Sequence, residues 1–188
     1  MYERLGFISL KTDKFTKLSF TLFAVAMSFK VIYIMGVSGS GKTTIGKLLA
    51  AKTGYIFYDA DDFHPQQNID KMKAGLPLAD EDRWPWLDSI SHFVINAIIS
   101  HTIIVACSAL KQVYRVRLSK GISDNCRWIF LKGDFETILH RLKKRSGHFM
   151  PETLLHSQFK ILEIPLHTIE VDILKTPNEI VDQIILKL

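Results

Sequence analysis

The amino-acid sequence predicts an α/β protein built on a parallel sheet with helices on both faces. Three observations carry that expectation. Five short apolar runs, at residues 31–35, 55–58, 103–107, 128–131 and 168–173, alternate with stretches of helical periodicity. Strands buried on both faces read as such continuous runs. Residues 36–43, Gly-Val-Ser-Gly-Ser-Gly-Lys-Thr, fit the pattern G-x-x-x-x-G-K-[ST] at every fixed position and lie between the first run and the first helix. The size agrees, since 188 residues, 47% of them hydrophobic, suit one domain with a full core.

The motif dictates a chemistry. Its glycines let the backbone curl with N–H groups turned inward, so a polyphosphate sits in a nest of donors at a helix N-terminus. Gly36, Val37, Ser38, Gly39, Ser40, Gly41 and Thr44 belong to that cradle, Lys42 reaches the β- and γ-phosphates, and the Thr43 hydroxyl ligates the bridging Mg²⁺. ATP and Mg²⁺ are the expected ligands. The helix behind the loop reads as residues 44–52, with Ile45, Leu48 and Leu49 on one face and Gly54 as its stop.

Residues 1–26 stand apart from this unit. Lys11, Lys14 and Lys17 precede an apolar run, 18–26, that ends in Ala24-x-Ala26. The pattern is like a secretory signal and too short to span a bilayer, so no stable membrane insertion is expected. The alternative is translated upstream sequence, with Met27 as the natural start. An ATP-using enzyme has little use for an export signal. The expectation is therefore a cytoplasmic protein, with an extension at 1–26 outside the fold and a single domain at 27–188.

Past the second strand, Asp59-Ala60-Asp61-Asp62 and His64-Pro65 lead into a helix that Pro65 opens and Gly75 stops. Residues 77–83 read as a polar loop, after which Pro85 opens a helix burying Trp86, Leu87, Ile90, Val94, Ala97 and Ile98. The third strand is followed by a helix at 109–119, and Asp134 caps another through Ile138, Leu139 and Leu142. A basic segment with Arg141, Lys143, Lys144, Arg145 and His148 precedes a helix at 151–162. Thr176-Pro177-Asn178-Glu179 is a capping box for the last helix. In parallel sheets ligands bind beyond the strands' carboxyl ends, so the polar clusters after the first three strands converge on one crevice. The formal charge of +5 suits anionic small molecules; without a basic run carrying interleaved aromatics, no nucleic-acid partner is expected. Cys107 and Cys126 lack metal-like spacing and read as structural thiols of a reducing cytosol.

Several blocks then carry a resemblance. Asp61-Asp62-Phe63-His64-Pro65-Gln66-Gln67-Asn68-Ile69-Asp70-Lys71-Met72, Gly75-Leu76-Pro77-Leu78 and Asp82-Arg83-Trp84-Pro85-Trp86-Leu87 closely resemble the gluconate kinase (gluconokinase) family. Cys107 to Arg115, Gly147-His148-Phe149-Met150-Pro151, Ser157-Gln158-Phe159 and Leu162-Glu163-x-Pro165 look like further blocks of it. The resemblance implies ATP-dependent phosphorylation of D-gluconate to 6-phosphogluconate with Mg²⁺. It also implies a three-layer P-loop kinase fold, a five-stranded parallel sheet of order 2-3-1-4-5, a mobile helical lid around 141–165, and a homodimer. Ala60 stands where the family commonly has Gly, Val116 where Asp usually follows Tyr-Arg, and Lys160-Ile161 where small residues are usual.

Phosphoryl transfer to a hydroxyl needs positioning, charge neutralisation and an acceptor for the hydroxyl proton. Asp61 is read as base or hydroxyl ligand and Asp59 as lying near the metal. A gluconate pocket needs cations that hydrogen-bond in pairs, and Arg83, Lys71, Lys111 and Arg115 are the candidates, in that order. Arg141 and Arg145 are expected to close over the phosphates. The family blocks add His64, Ser108 and His148 to the acceptor side. Trp84 and Trp86 read as core or pocket wall. Ser108 ends the third strand, where many ATPases carry an Asp, which favours a small-molecule kinase over a motor or switch. The rivals are a shikimate- or nucleotide-type kinase and an ATP-binding module without catalysis.

Overall fold

The computed structural model describes residues 29–144 and 151–188. Chain order is β1 (Val31–Met35), α1 (Lys42–Thr53), β2 (Ile56–Asp59), a 3₁₀ turn (Ala60–Phe63), α2 (Gln66–Lys73), α3 (Asp80–Ala97) and β3 (Ile103–Ala106). Then come α4 (Gln112–Leu118), a second 3₁₀ turn (Ser123–Asn125), β4 (Cys126–Lys132), α5 (Phe135–Lys143), α6 (Glu152–Ile161), β5 (Ile169–Asp172) and α7 (Pro177–Lys187). All pairings are parallel and the order is β2-β3-β1-β4-β5, as the resemblance implies.

β1 is central, and alternation along it divides the core. Ile32 and Ile34 pack with Ile45 and Leu49 of α1, Ile138 and Leu139 of α5, and Ile180, Val181 and Ile184 of α7. Val31, Tyr33 and Met35 pack the other way, with Trp86, Leu87, Ile90 and Val94 of α3 and Tyr114 and Leu118 of α4. Both faces are apolar because both are covered. The one polar atom on the β1 side chains that enters this second layer is satisfied: the Tyr33 hydroxyl donates to the Leu118 carbonyl at 3.2 Å. Every carboxyl end of the sheet therefore opens toward the same rim.

The two largest differences from the expected boundaries are at α3 and α4. Residues 80–83 are not loop but the first turn of α3, and Pro85 lies inside that helix. Asp82 Oδ2 accepts from the Ala79 amide at 2.9 Å, and Asp80, Glu81 and Asp82 put negative charge at the helix N-terminus. That stabilisation outweighs the single hydrogen bond Pro85 removes so close to the start. α4 begins at Gln112 instead of 109, since Ala109 takes a left-handed φ of 43°. Arg115 Nη1 holds that bend by donating to the Ala109 and Leu110 carbonyls at 2.9 and 3.1 Å. Gly54 caps α1 in the left-handed region, and Thr176 with Glu179 forms the capping box of α7, both as read from sequence.

Candidate active site

The phosphate loop joins β1 to α1. Gly41 caps α1 at φ 102°, a conformation that turns the first helical amides toward the loop without the strain of a Cβ. Gly39 has φ 82°, and a Cβ there would come within 2.8 Å of Leu142 Cγ on α5. α5 thus lies directly against the loop. Lys42 Nζ donates back to the Val37 carbonyl at 3.2 Å. Ser40 is 2% exposed, and its hydroxyl oxygen has no hydrogen-bond partner among the described residues. A buried polar atom with no partner inside a nest of amides fits a loop that takes an anion.

The two residues expected at a metal are brought together. Thr43 Oγ1 donates to Asp59 Oδ2 at 2.7 Å, and Asp59 Oδ1 accepts from the Asp61 amide at 3.2 Å. Hydroxyl and carboxylate oxygens are hard ligands, the donor set that Mg²⁺ uses beside phosphates and water. Asp61 follows on the 3₁₀ turn. Surrounding protein raises its pKa above the ordinary carboxylate value, Asp59 and Asp62 push the same way, and the Lys42 ammonium opposes them. Its side chain is 73% exposed to water at the rim, so solvent screens that rise.

His64 sits behind Asp61, with Nε2 at 4.0 Å from Asp61 Oδ1 and its side chain only 5% exposed. Its ring stacks on Trp86 at 4.2 Å with planes 11° apart. Burial, then the charge of Arg83, lowers its pKa to about 4, so the ring is neutral at physiological pH. Next stands the cationic cluster. Arg83 Nη1 donates to the Tyr114 hydroxyl at 3.2 Å and lies 3.7 Å from Asp80 Oδ1, while Lys111 Nζ reaches both Asp80 oxygens at 2.8 Å. The Tyr114 hydroxyl also donates to Asp80. The hydrogen bond from Lys111, then that from Tyr114, holds the Asp80 carboxyl below its usual range. Lys71 pairs with Asp82 at 2.6 Å on the neighbouring turn.

Other expected residues lie elsewhere. Ser108 stands beside the phosphate loop, its carbonyl accepting from the Gly36 amide at 3.4 Å. Arg141 lines a groove of about 190 Å³ with Gly39, Gly41, Thr44 and Leu142, and its guanidinium donates to the Ile173 carbonyl beyond β5. Arg115 does not join the cluster of Arg83 and Lys111. It is 5% exposed and spends its donors on Ala109, Leu110 and the Gln112 side chain, as the brace of its own loop. Arg145 and His148 lie outside the described residues.

The residues that sequence reasoning left without roles are Asp80, Tyr114, Asn68 and Gln158. The Ser38 amide, expected in the phosphate cradle, instead donates to Gln158 Oε1 of α6 at 2.7 Å. Gln158 and Asn68 do stand inside the recognisable blocks, but their roles depend on contacts, with Ser38 for Gln158 and with His64 and the Asp82 carbonyl for Asn68, that only the fold reveals.

Comparison with known proteins agrees with this geometry. The family model described as shikimate kinase matches residues 38–186. The thermosensitive gluconokinase of Escherichia coli (strain K12) is 49% identical over 140 residues, 74% of this chain and 74% of its own. The gluconokinase of Arabidopsis thaliana is 45% identical over 147 residues, 71% of this chain and 78% of its own. The crystal structure of a gluconokinase from Sinorhizobium meliloti 1021 superposes with a TM-score of 0.76 at 39% identity, covering 84% of this chain and 89% of that one. Phosphate loop, acidic turn and kinship converge: this chain belongs to the gluconokinase family of P-loop small-molecule kinases.

Proposed function

We propose that the chain transfers the γ-phosphoryl group of ATP to D-gluconate, giving 6-phospho-D-gluconate. One observation carries the reading. A run of interacting side chains leads from Lys42 through Asp61 and His64 to Arg83, Asp80 and Lys111. One end suits phosphate and the other suits a hydroxylated carboxylate. Arg83 and Lys111 against the single carboxylate of Asp80 leave one positive charge for the acceptor's carboxylate. The planar Arg83 fork orients that carboxylate, and Asp80 accepts from sugar hydroxyls. Lys42 neutralises charge on the group in transfer, and Asp61 takes the hydroxyl proton. Arg141 and Arg145 close from the lid, while Ser108, Lys71 and His148 border the acceptor.

Thr43 and Asp59 would hold Mg²⁺ between them and the nucleotide. Bound there, the ion would offset the negative charge of the nucleotide's phosphates. We further propose a homodimer in a reducing cytosol. Among the described residues no helix is long and apolar enough to cross a membrane. The buried thiols of Cys107 and Cys126, which burial pushes up to about 12 and about 11, stay protonated and inert.

A coupled assay with ATP and Mg²⁺ across gluconate, shikimate and nucleoside monophosphates tests the substrate. Gluconate alone is expected to turn over, and turnover of another acceptor in its place refutes the assignment. Asp61→Asn is expected to keep less than about a tenth of kcat while binding ATP as before, the loss that removal of a proton acceptor brings.

A further inference from the structure

Asn68 is 2% exposed, lies in the first turn of α2 and faces two groups at once. Its Nδ2 is 2.8 Å from the carbonyl oxygen of Asp82 and 3.4 Å from His64 Nδ1. A carbonyl oxygen only accepts, so the amide must present its NH₂ to Asp82. That same nitrogen carries donors only. It can therefore bond His64 only if Nδ1 is an unprotonated acceptor. The ring proton of the neutral imidazole then sits on Nε2, the atom that faces Asp61 Oδ1 at 4.0 Å. The Trp86 stack fixes the ring plane, and Trp86 Nε1 donates to the Ala60 carbonyl at 2.7 Å, in the turn that carries Asp61. Base, histidine and asparagine are thus held in one frame.

We propose that Asn68 is a positioning residue for phosphoryl transfer: it locks His64 as the neutral Nε2–H tautomer and so aims an uncharged donor at the Asp61 carboxylate. The inference rests on the reading of Asp61 as proton acceptor. A neutral N–H orients a carboxylate while leaving it basic, whereas an imidazolium in the same place would lower its basicity. Protonation of Nδ1 would set a ring N–H against the Asn68 NH₂, so one contact selects the tautomer and opposes the charge. Burial and the Arg83 charge push His64 the same way.

Nitrogen-15 NMR of the full chain labelled at histidine, with the His64 signals assigned by their loss in His64→Gln, reads the tautomer directly. The expected spectrum at neutral pH has unprotonated Nδ1 and protonated Nε2. An Nδ1–H tautomer or an imidazolium overturns the proposal, and this measurement needs no Asn68 variant to fold. Asn68→Ala is expected to mix the tautomers and lower kcat about tenfold, the worth of roughly one hydrogen bond, with KM for gluconate changed less. His64→Gln, whose side-chain amide N–H replaces Nε2–H and has no tautomer to lose, is expected to retain more kcat than His64→Leu. Adding Asn68→Ala to His64→Gln is expected to cost little more. Fully additive losses, or an unchanged His64 spectrum in Asn68→Ala, overturn the role of Asn68. Failure of the underlying site reading looks different: Asp61→Asn would keep its turnover while the His64 spectrum stayed as expected.

Discussion

Arg83 shows what one residue contributes and what sequence hides about it. Read as a loop cation, it is in fact the fourth residue of α3, where the helix fixes its spacing from Asp80 and Tyr114 takes its Nη1. The side chain is 15% exposed, so its fork is held before any acceptor arrives. Arg83→Lys is expected to raise KM for gluconate several-fold and leave KM for ATP nearly unchanged, because a point charge replaces neither the fork nor the bond to Tyr114. Steady-state kinetics with each substrate varied checks this. ATP affected with gluconate untouched would move Arg83 to the nucleotide side. The residue types of the candidate site were legible in sequence, in that Lys42, Thr43, Asp59, Asp61, His64 and Arg83 lie along one rim. Arg115 was not, because a guanidinium that braces carbonyls and one that clamps a substrate have the same letter. Only the contacts to Ala109 and Leu110 separate the two.

At the scale of elements, periodicity located the strands and most helices because each has its own apolar face and its own stop. It failed at α3, where the first turn carries Asp80, Glu81, Asp82 and Arg83 and looks like loop, and where Pro85 looks like a start. The stabilising term there is capping and dipole electrostatics, which a hydrophobic pattern does not register. α6 shows the same blindness at longer range. Phe135 of α5 stacks on His156 at 4.2 Å and packs edge-on to Phe159 at 5.4 Å, fastening α6 to the helix that lies against the phosphate loop. Just beyond α6, Glu163 accepts from the Gln112 amide at 2.5 Å and its own amide donates to the Leu110 carbonyl at 2.9 Å. With Gln158 on the Ser38 amide, α6 is tied to the phosphate loop at one point and to the loop that carries Lys111 at another. Gln158→Ala is expected to raise KM for ATP about fivefold, in keeping with the loss of one hydrogen bond, without lowering the melting temperature much. A lower KM for ATP would mean that Gln158 competes with phosphate for the Ser38 amide instead of anchoring the helix.

For the whole molecule, two consequences follow from where charge and core lie. His64 folds with a pKa of about 4 against an ordinary 6.5, so the unfolded chain binds more protons between those values. Stability therefore falls as pH drops from about 6.5 toward 4, by up to about 3 kcal/mol from this one group. The Asp80 and Asp82 carboxyls, held low by Lys111 and Lys71, add a further loss at lower pH as they are protonated. Urea titrations across this range should show the slope, and His64→Gln should flatten its upper part. The second consequence concerns the fold's start. Among the described residues the buried core begins at Phe29, which is 2% exposed and has the Arg127 guanidinium 5.3 Å from its ring centroid. The Lys30 amide donates to the Asn125 carbonyl at 2.8 Å, so the chain is anchored before β1 begins. Every candidate site residue lies after that point. We propose that residues 27–188 are the catalytic unit, and that a chain starting at Met27 folds and phosphorylates gluconate as well as the full chain. Residues 1–26 carry Arg4, Lys11, Lys14 and Lys17 against Glu3 and Asp13, so their removal lowers the formal net charge of +5 by two and still leaves a cationic protein for anionic ligands. Equal melting temperatures and equal kcat/KM for the two chains are the expected result. A Met27 chain that melts many degrees lower would show that residues 1–26 cover part of the domain, and would move the start of the folded unit upstream.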